Sequence, residues 1–197
     1  MSNRDKKHLL RKELRAKRRA LSWREQRVAS EQLLHQVKGL TEFTRAKRIA
    51  FYLANDGELD PLSVLEYAES LGKLCYLPVI HPVYSNLMWF APYQTGDALE
   101  PNRFGILEPI QERVNERCSP KTLDIVFTPL VGFDDKGNRM GMGGGFYDRT
   151  FAFLRETKTI KPLLVGIAHE CQHVKELPTE SWDMPLTAVI TDNKIYR

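Results

Sequence analysis

The sequence predicts an α/β fold with a mostly parallel central sheet, helices on both faces and an N-terminal helical pair. Short apolar, strand-like runs alternate with helix-like segments along most of the chain, an order typical of parallel sheets covered by helices. The 197 residues, 42% of them hydrophobic, suffice for one substantial core. No repeat and no linker rich in proline and serine divides the chain. We therefore expect a single α/β domain over residues 1–197.

The helical pair is expected at the start of the chain. Between residues 5 and 20, leucines recur at helical spacing among lysines and arginines. Ser22 is followed three residues later by Glu25, a capping box that predicts a second helix over residues 23–37. The positions expected to be buried in the two helices are Leu9, Leu10, Leu14, Leu21, Val28, Leu33, Leu34 and Val37.

Lys7 and Arg11 of the first helix are four residues apart, so they share one face. Together they can reach a single anionic ligand. The alternative is a solvated basic face, which charge runs commonly form. A nucleic-acid-binding module that uses the basic N-terminal helices as its electrostatic footprint is therefore one functional hypothesis.

Apolar runs bounded by turn residues predict the strands of the sheet. A helix over residues 62–71 is stopped by Gly72. Residues 95–120 hold prolines, glycines and mixed charge, and we expect irregular surface structure there. The strands are expected at residues 49–53, 74–80, 87–91, 124–131, 163–168 and 187–191.

The segment after the first predicted strand is a polar turn. Residues 55–61 read Asn-Asp-Gly-Glu-Leu-Asp-Pro, with Asp60 as the expected N-cap and Pro61 as the expected first position of the next helix. Capping needs only one acid, so the other polar side chains need a further explanation. Open α/β sheets bind ligands at the carboxyl ends of their strands. Asn55, Glu58 and Asp60 are therefore candidate ligand-binding residues.

A glycine-rich run over residues 139–149 reads Arg-Met-Gly-Met-Gly-Gly-Gly-Phe-Tyr-Asp-Arg. Because glycine accepts positive φ angles, such a loop can point several backbone N–H groups at one anion. A helix over residues 146–154 would direct its N-terminal amides at the same point. The alternative is a glycine-rich surface turn. The glycines expected to form the phosphate cradle are Gly141, Gly143, Gly144 and Gly145.

This run matches neither of the two common phosphate motifs. A Walker loop needs Gly-Lys-Ser/Thr, and no lysine lies between Arg139 and Arg149. The dinucleotide-binding pattern needs a glycine where Phe146 stands and an acidic residue about twenty positions further on, where residues 162–167 are apolar. Asp148, in the first turn of the expected helix, suits the Mg²⁺ that accompanies polyphosphates.

Cysteine usage and charge indicate the compartment. Cys75, Cys118 and Cys171 are widely spaced and odd in number, which argues against a disulfide framework and for a reducing environment. The start of the chain is charged rather than apolar, and no stretch approaches the length of a membrane span. The net charge of +4 is modest. We expect a cytoplasmic protein without a membrane partner.

Residues 169–173 match the His-Glu-x-x-His zinc signature, in which one helical face carries two imidazoles. Here the preceding residues 163–168 are strand-like and include Gly166, so we interpret the match as a polar loop at a strand end. A zinc hydrolase remains a further functional hypothesis, predicting about one zinc per chain. Its motif residues would be His169, Glu170, Cys171, Gln172 and His173.

Several of these segments together resemble the 5-formyltetrahydrofolate cyclo-ligase family, also called methenyltetrahydrofolate synthetases. The resemblance spans most of the chain, and its most specific part is the glycine-rich run. Phe146 stands where many family members have tyrosine. The other matching segments are the basic helix at residues 7–11, Gly57-Glu58-Leu59-Asp60, Gly72-Lys73 leading to Leu77-Pro78, and Trp182-Asp183-Met184-Pro185-Leu186.

The resemblance implies an enzyme that uses ATP and Mg²⁺ to convert 5-formyltetrahydrofolate into 5,10-methenyltetrahydrofolate through a phosphorylated formyl group, releasing ADP and phosphate. It implies small-molecule substrates and no nucleic-acid partner, and we expect a monomer. By position, the ATP-binding residues would be Lys7, Arg11, Arg139, Gly141, Met142, Gly143, Gly144, Gly145, Phe146 and Tyr147. The catalytic residues would be Arg139, Tyr147 and Asp148, the metal ligands Asp148 and Asp183, and the folate-binding residues Asn55, Glu58 and Asp60.

One of these assignments, and one further candidate for the folate site, have a plain structural alternative. Asp183 precedes Pro185, a position where a turn or capping acid is common. Trp89 or Phe90 would offer a flat apolar wall to the pterin ring, but an aromatic side chain in a strand is more often part of the core.

Overall fold

A computed structural model describes residues 3–84, 86–157, 161–180 and 183–197. Its largest sheet has seven strands, and the five inner ones run parallel to one another, whereas each edge strand is antiparallel to its neighbour. From one edge to the other, the strands are β11 (Ile195–Tyr196), β10 (Ala188–Ile190), β9 (Leu163–Ile167), β6 (Ile125–Pro129), β1 (Arg48–Ala50), β2 (Leu74–Ile80) and β3 (Met88–Pro92). The predicted mostly parallel sheet is confirmed.

Helices and two small hairpins complete the described structure. The helices are α1 (Asn3–Arg19), α2 (Trp23–Lys38), α3 (Thr41–Arg45), α4 (Leu62–Ser70), α5 (Gln111–Val114), α6 (Phe146–Thr150) and α7 (Phe153–Thr157). The hairpins pair β4 (Leu99–Pro101) with β5 (Leu107–Pro109), and β7 (Gly132–Phe133) with β8 (Arg139–Met140). Within the described ranges, no helix is both long and apolar enough to cross a membrane.

The core lies on both faces of the sheet. Successive residues of the central strands alternate between two apolar clusters, as the two-residue period of a strand requires. Phe51 and Phe127 lie on one face with their ring centroids 5.3 Å apart, and α2 and α4 cover them. Val126 lies on the opposite face, in the cluster that Phe151 joins from the α6–α7 segment. The expected helices on both faces are confirmed.

The N-terminal helical pair is also present, with one change in the buried face of each helix. Ser22 and Glu25 form the predicted capping box. The buried residues of α2 are Ala29, Leu33 and Val37, which recur every four positions. Val28 was predicted to be buried but is 39% exposed, because one position along a helix turns a side chain by about 100° from the buried stripe. In α1, Leu14 is buried whereas Leu9 is 52% exposed.

Three segments differ from the sequence-based expectation. Residues 95–120 were expected to be irregular, but they contain the β4–β5 hairpin and α5. The β7–β8 hairpin, which no predicted strand covered, follows β6, and its second strand forms the first two residues of the glycine-rich run. The helix expected over residues 146–154 is two single-turn helices, α6 and α7, interrupted near Phe151. Phe151 is fully buried and packs 5.8 Å from Phe90, so tertiary packing overrides the local helical pattern there.

The strand order places a crevice at the centre of the sheet. The chain passes from β1 to β2 on one side, whereas β6 and β9 extend the sheet on the other side. Between β1 and β6 the order reverses, and ligands of open α/β sheets bind at the carboxyl ends of the strands at such a point. The residues that leave β1 and β6 therefore enclose the candidate site.

Candidate active site

A cavity of about 1020 Å³ opens at the carboxyl ends of β1 and β6. Its volume lies at the upper end of the range for small-molecule sites, so it has room for an extended ligand or for two adjacent ones. The walls come from α1, from the turn after β1, from the segment after β6, from the β4–β5 hairpin and from the glycine-rich run.

Of the residues assigned by position to the ATP, folate and metal sites, all but one line this cavity. They are Lys7, Arg11, Asn55, Glu58, Arg139, Gly141, Met142, Gly143, Gly144, Gly145, Phe146, Tyr147, Asp148 and Asp183. Asp60 is the exception. It is exposed, and its Oδ1 accepts the backbone N–H of Leu62, the first residue of α4, at 3.0 Å. The N-cap of α4 is Pro61, one position later than predicted. The turn Asp56-Gly57 directs Glu58 into the cavity, and the chain has turned towards α4 by residue 60.

Two positions in the glycine-rich loop require glycine for their backbone conformation. Gly143 has φ = +100° and Gly145 has φ = +67°, whereas Gly141 and Gly144, which were also expected to use this freedom, have ordinary φ angles. At Gly144 the constraint is space instead, because a Cβ would lie 2.9 Å from the ring of Phe146. Phe146 does begin α6, but this helix has only five residues, so its dipole is much weaker than that of a long helix.

Cations from two elements hold the loop. Arg11 of α1 donates from Nε to the Gly141 carbonyl at 2.9 Å, and Arg149 donates to the Gly144 carbonyl at 2.7 Å. Lys7 is only 14% exposed, which does not fit the solvated basic face considered for this helix. The cationic side of α1 therefore faces the loop and the cavity.

Two carboxylates meet beside the loop. Asp148 forms an ion pair with Arg139, and it accepts the backbone N–H of Met184 at 3.0 Å. Asp183, the neighbour of Met184, lies 3.4 Å from Lys7 Nζ, and Trp182 of the same matching segment is outside the described residues. Both acids are therefore at one corner of the cavity.

This corner has the donor chemistry of a Mg²⁺ site completed by a ligand. Hard carboxylate oxygens suit Mg²⁺, which usually binds through one or two carboxylates together with phosphate oxygens and water. Among the described residues no group of three or more His, Cys, Asp or Glu side chains is placed to hold a metal ion. Asp148 and Asp183 each already contact a cation, so a metal ion at this corner would compete with Arg139 and Lys7.

The opposite end of the cavity is built around Glu58. Its carboxylate accepts the backbone N–H of Asn55 at 3.2 Å and lies 3.6 Å from the guanidinium of Arg18. Burial raises the pKa of Glu58 to about 7, although the positive charge of Arg18 acts in the opposite direction. Burial, and then the charge of Glu58, raise the pKa of the Tyr147 phenol, which stays neutral near pH 7. This end therefore holds a carboxyl group and a phenol in a weakly solvated setting.

Several cavity residues were not identified from the sequence. Arg18 and Asp56 line the cavity beside Glu58. Arg18 lies seven positions after Arg11, close to the same helical face, so the spacing of the basic residues did contain a signal for it. Phe104, at the tip of the β4–β5 hairpin, is 57% exposed and contacts Phe146 edge to face. It had no such signal, because its segment was expected to be irregular.

The aromatic residues considered as a wall for the pterin ring lie elsewhere. Phe90 is fully buried in the core. Trp89 packs against Arg117, whose guanidinium carbon lies 3.9 Å from the centroid of the Trp89 ring. Neither residue is part of the cavity wall.

The zinc-like motif forms a single 3₁₀ turn, Glu170–Gln172, rather than the α-helix that the signature requires. The Glu170 carboxylate accepts the hydroxyl of Thr191 at 2.6 Å and that of Tyr196. His173 pairs with Asp135, with 3.0 Å between Nε2 and Oδ1. These contacts tie the turn to the edge of the sheet.

Comparisons with known proteins agree with this architecture. A family model described as "5-formyltetrahydrofolate cyclo-ligase family" matches residues 3–192. A 5-formyltetrahydrofolate cyclo-ligase from Haemophilus influenzae is 39% identical over 95% of this chain and 98% of its own, and one from Escherichia coli K12 is 40% identical over 93% and 98%.

Solved structures show the same likeness. A 5,10-methenyltetrahydrofolate synthetase from Aquifex aeolicus superposes with a TM-score of 0.79 at 34% identity, covering 97% of this chain and 92% of that one. The synthetase from Mycoplasma pneumoniae superposes with a TM-score of 0.74 at 25% identity, covering 95% and 99%. With the family model and these relatives in agreement over nearly the whole sequence, the chain belongs to the 5-formyltetrahydrofolate cyclo-ligase family.

Proposed function

We propose that this protein catalyses the ATP- and Mg²⁺-dependent cyclisation of 5-formyltetrahydrofolate to 5,10-methenyltetrahydrofolate, with release of ADP and phosphate. One observation carries the proposal: a single cavity joins a cation-rich glycine loop at one end to a buried carboxyl group at the other. Two substrates that must react with each other need adjacent sites of different chemistry. Family membership supplies the identity of those substrates.

The glycine loop is the proposed site of the triphosphate. Lys7, Arg11, Arg139 and Arg149 all line the cavity around it. Arg11 and Arg149 donate to carbonyl groups of the loop. Their charge-assisted hydrogen bonds to phosphate oxygens would be stronger than those to neutral carbonyls. When bound, Mg²⁺ held by Asp148 and Asp183 would supply further neutralisation of the phosphate charge.

The end around Glu58 is the proposed site of the pterin. The amino-pyrimidine part of a pterin presents N–H donors, which carboxylate and amide oxygens accept. Glu58 and Asn55 line this end, whereas Asp60 lies outside the cavity, so we assign folate binding to the first two only. Tyr147, two positions after Gly145, also lines the cavity, and the charge of Glu58 contributes to the raised pKa of its phenol.

The proposed chemistry has two displacements. The formyl oxygen attacks the γ-phosphorus of ATP, the bond to the bridging oxygen breaks, and ADP leaves. The second folate nitrogen then attacks the formyl carbon, phosphate leaves with the former formyl oxygen, and the proton of that nitrogen passes to water. Such transfers depend mainly on alignment and charge neutralisation, which a cationic loop provides.

We further infer that the protein is cytoplasmic and acts as a monomer on small molecules, without nucleic-acid or membrane partners. The thiols of Cys75, Cys118 and Cys171 are free, as expected in a reducing compartment. The engagement of Lys7 and Arg11 with the cavity makes the basic face of α1 less available to nucleic acid.

The first prediction concerns the reaction itself. Incubation of the protein with 5-formyltetrahydrofolate, ATP and Mg²⁺ should produce the absorbance of methenyltetrahydrofolate. Omission of the folate, the nucleotide or the metal ion should each abolish it. Product formed at the full rate without ATP would contradict the proposed function.

The second prediction concerns the loop backbone. Valine in place of Gly143 is strained at φ = +100°, at a cost of about 1–3 kcal/mol, and Gly143→Val should also raise the KM for ATP about tenfold or more. Gly96→Val is a matched control, because Gly96 has φ = +97° and open space around it outside the cavity. Similar losses of stability with equal KM values in both variants would show that the loop is only a turn.

The third prediction concerns the metal ion. Asp148→Asn keeps one oxygen ligand and loses the charge, so turnover should fall about 100-fold and recover in part at high Mg²⁺. Calorimetric titration of Mg²⁺ into the protein with a non-hydrolysable ATP analogue should show weaker binding. Asp97→Asn is the control, because it breaks a comparable pair with Arg113 outside the cavity. An unaltered Mg²⁺ titration in Asp148→Asn would remove this residue from the metal site.

A further inference from the structure

Helix α1 contacts both ends of the cavity. At its middle, Arg11 donates to the carbonyl of Gly141 in the glycine loop. Near its end, Arg18 donates from Nε to the Asp56 carbonyl at 2.9 Å and from Nη2 to the Asp56 carboxylate at 2.8 Å. A single helix of 17 residues therefore spans the proposed nucleotide site and the turn that presents Glu58.

The apolar contacts of this helix are made by one small cluster, to which it contributes Leu14 and the partly buried Leu10. The buried residues of the helix are Leu14 and Arg18. Leu14 packs with Val131 and Met140, and a Cβ on Gly132 would lie 2.5 Å from it, so the helix rests closely on the β7–β8 hairpin. The second strand of that hairpin leads directly into the glycine loop. The position of α1 is therefore sensitive to the polar contacts at its two ends.

The turn after β1 is shaped to fit the end of α1. Asp56 has φ = +56°, and its carboxylate pairs with Arg15, Arg18 and Arg19. Gly57 has φ = +75°, and a Cβ there would lie 3.3 Å from the Arg18 carbonyl. A shift of α1 would therefore move this turn, and with it the carboxyl group of Glu58.

Arg18 makes the connection within the interior. It is fully buried, it lies 3.6 Å from Glu58, and its Nη1 donates to the Leu130 carbonyl at 2.9 Å. It touches groups that follow both β1 and β6, and it lines the cavity beside Glu58. Arg18 is therefore placed to hold the carboxyl group of Glu58 where a ligand meets it.

We propose that α1 couples the two substrate sites and that Arg18 is the positioning residue of this coupling, so that ATP and the folate bind cooperatively. The proposal rests on the proposed function, because it takes ATP and the folate as the two ligands. A ligand at the loop engages Lys7 and Arg11 and fixes α1. The second ligand then meets a turn that is already ordered, and it spends less of its binding free energy on ordering that turn.

Thermodynamic linkage gives the proposal a quantitative form. If the folate tightens nucleotide binding by some factor, the nucleotide must tighten folate binding by the same factor. Couplings of this kind are typically about 5-fold to 150-fold. The factor is the ratio of the Kd values measured without and with the other ligand.

The test is calorimetric titration of the whole protein, in Mg²⁺, with the β,γ-imido analogue of ATP and with 5-formyltetrahydrofolate, each alone and then with the other ligand saturating. In the unaltered protein each ligand should tighten the other at least about fivefold. In Arg18→Met the ratio should fall to near one, and Arg18→Lys should restore part of it. Lys17→Met is the matched control and should keep the full ratio, because Lys17 pairs with Glu13 on the exposed side of the helix.

A second variant covers the case in which Arg18→Met does not fold, since removing one member of a buried charge cluster is strongly destabilising. Asp56→Asn removes the shared carboxylate, while asparagine accepts the positive φ at that position. In this variant the ratio of the Kd values without and with the other ligand should also fall to near one. Wild-type coupling in Asp56→Asn, or in a folded Arg18→Met, overturns the proposal.

Failure of the coupling and failure of the function give different results. Two ligands that both bind the unaltered protein, but independently, overturn the coupling and leave the proposed function intact. An unaltered protein that binds neither ligand overturns the proposed function and the coupling with it.

Discussion

The structure depends on a buried guanidinium at the centre of the sheet's open end. Arg18 is fully buried where the chain leaves β1 and β6, and its charge is satisfied by Asp56, by the Leu130 carbonyl and by proximity to Glu58. Moving such an ion out of water costs several kcal/mol, which only well-formed hydrogen bonds and opposite charge can offset. Because the partners of Arg18 come from two segments, the turn after β1 and the chain after β6, its burial requires α1 and both segments to be correctly placed together.

That arrangement explains why a narrow basic helix forms one wall of the cavity. Arg18 is held at the turn after β1, and Leu14 packs on the β7–β8 hairpin. The preceding turns of α1 therefore lie beside the glycine loop. Lys7 then reaches the acidic corner at Asp183, and Arg11 reaches Gly141. Sheet topology provides the crevice, and α1 supplies much of its positive charge. The same geometry suits a reaction in which a phosphoryl group passes between two adjacent ligands.

Local patterns in the sequence predicted most of the sheet and many of the residues that line the cavity. The capping box at Ser22 and Glu25, the strand runs and the glycine-rich run are signals within a few residues, and each of these elements is present. The β4–β5 hairpin and the break at Phe151 depend on packing against distant segments, which no local pattern contains. Asp60 is a different case, because the local pattern already placed it at the start of a helix, and its side chain bonds there instead of lining the cavity. Arg18 was not distinguished from the other basic residues of α1, because its partner Asp56 lies 38 positions further along the chain.

The central claim is that the formyl oxygen is phosphorylated within this cavity, and an oxygen-18 label follows that atom directly. 5-Formyltetrahydrofolate labelled at the formyl oxygen would be converted with unlabelled ATP, and the released phosphate would be examined by mass spectrometry. The account predicts one labelled oxygen in each phosphate formed. Unlabelled phosphate, with the label recovered in water, would mean that the ring closes without phosphoryl transfer to the formyl group and would contradict the account.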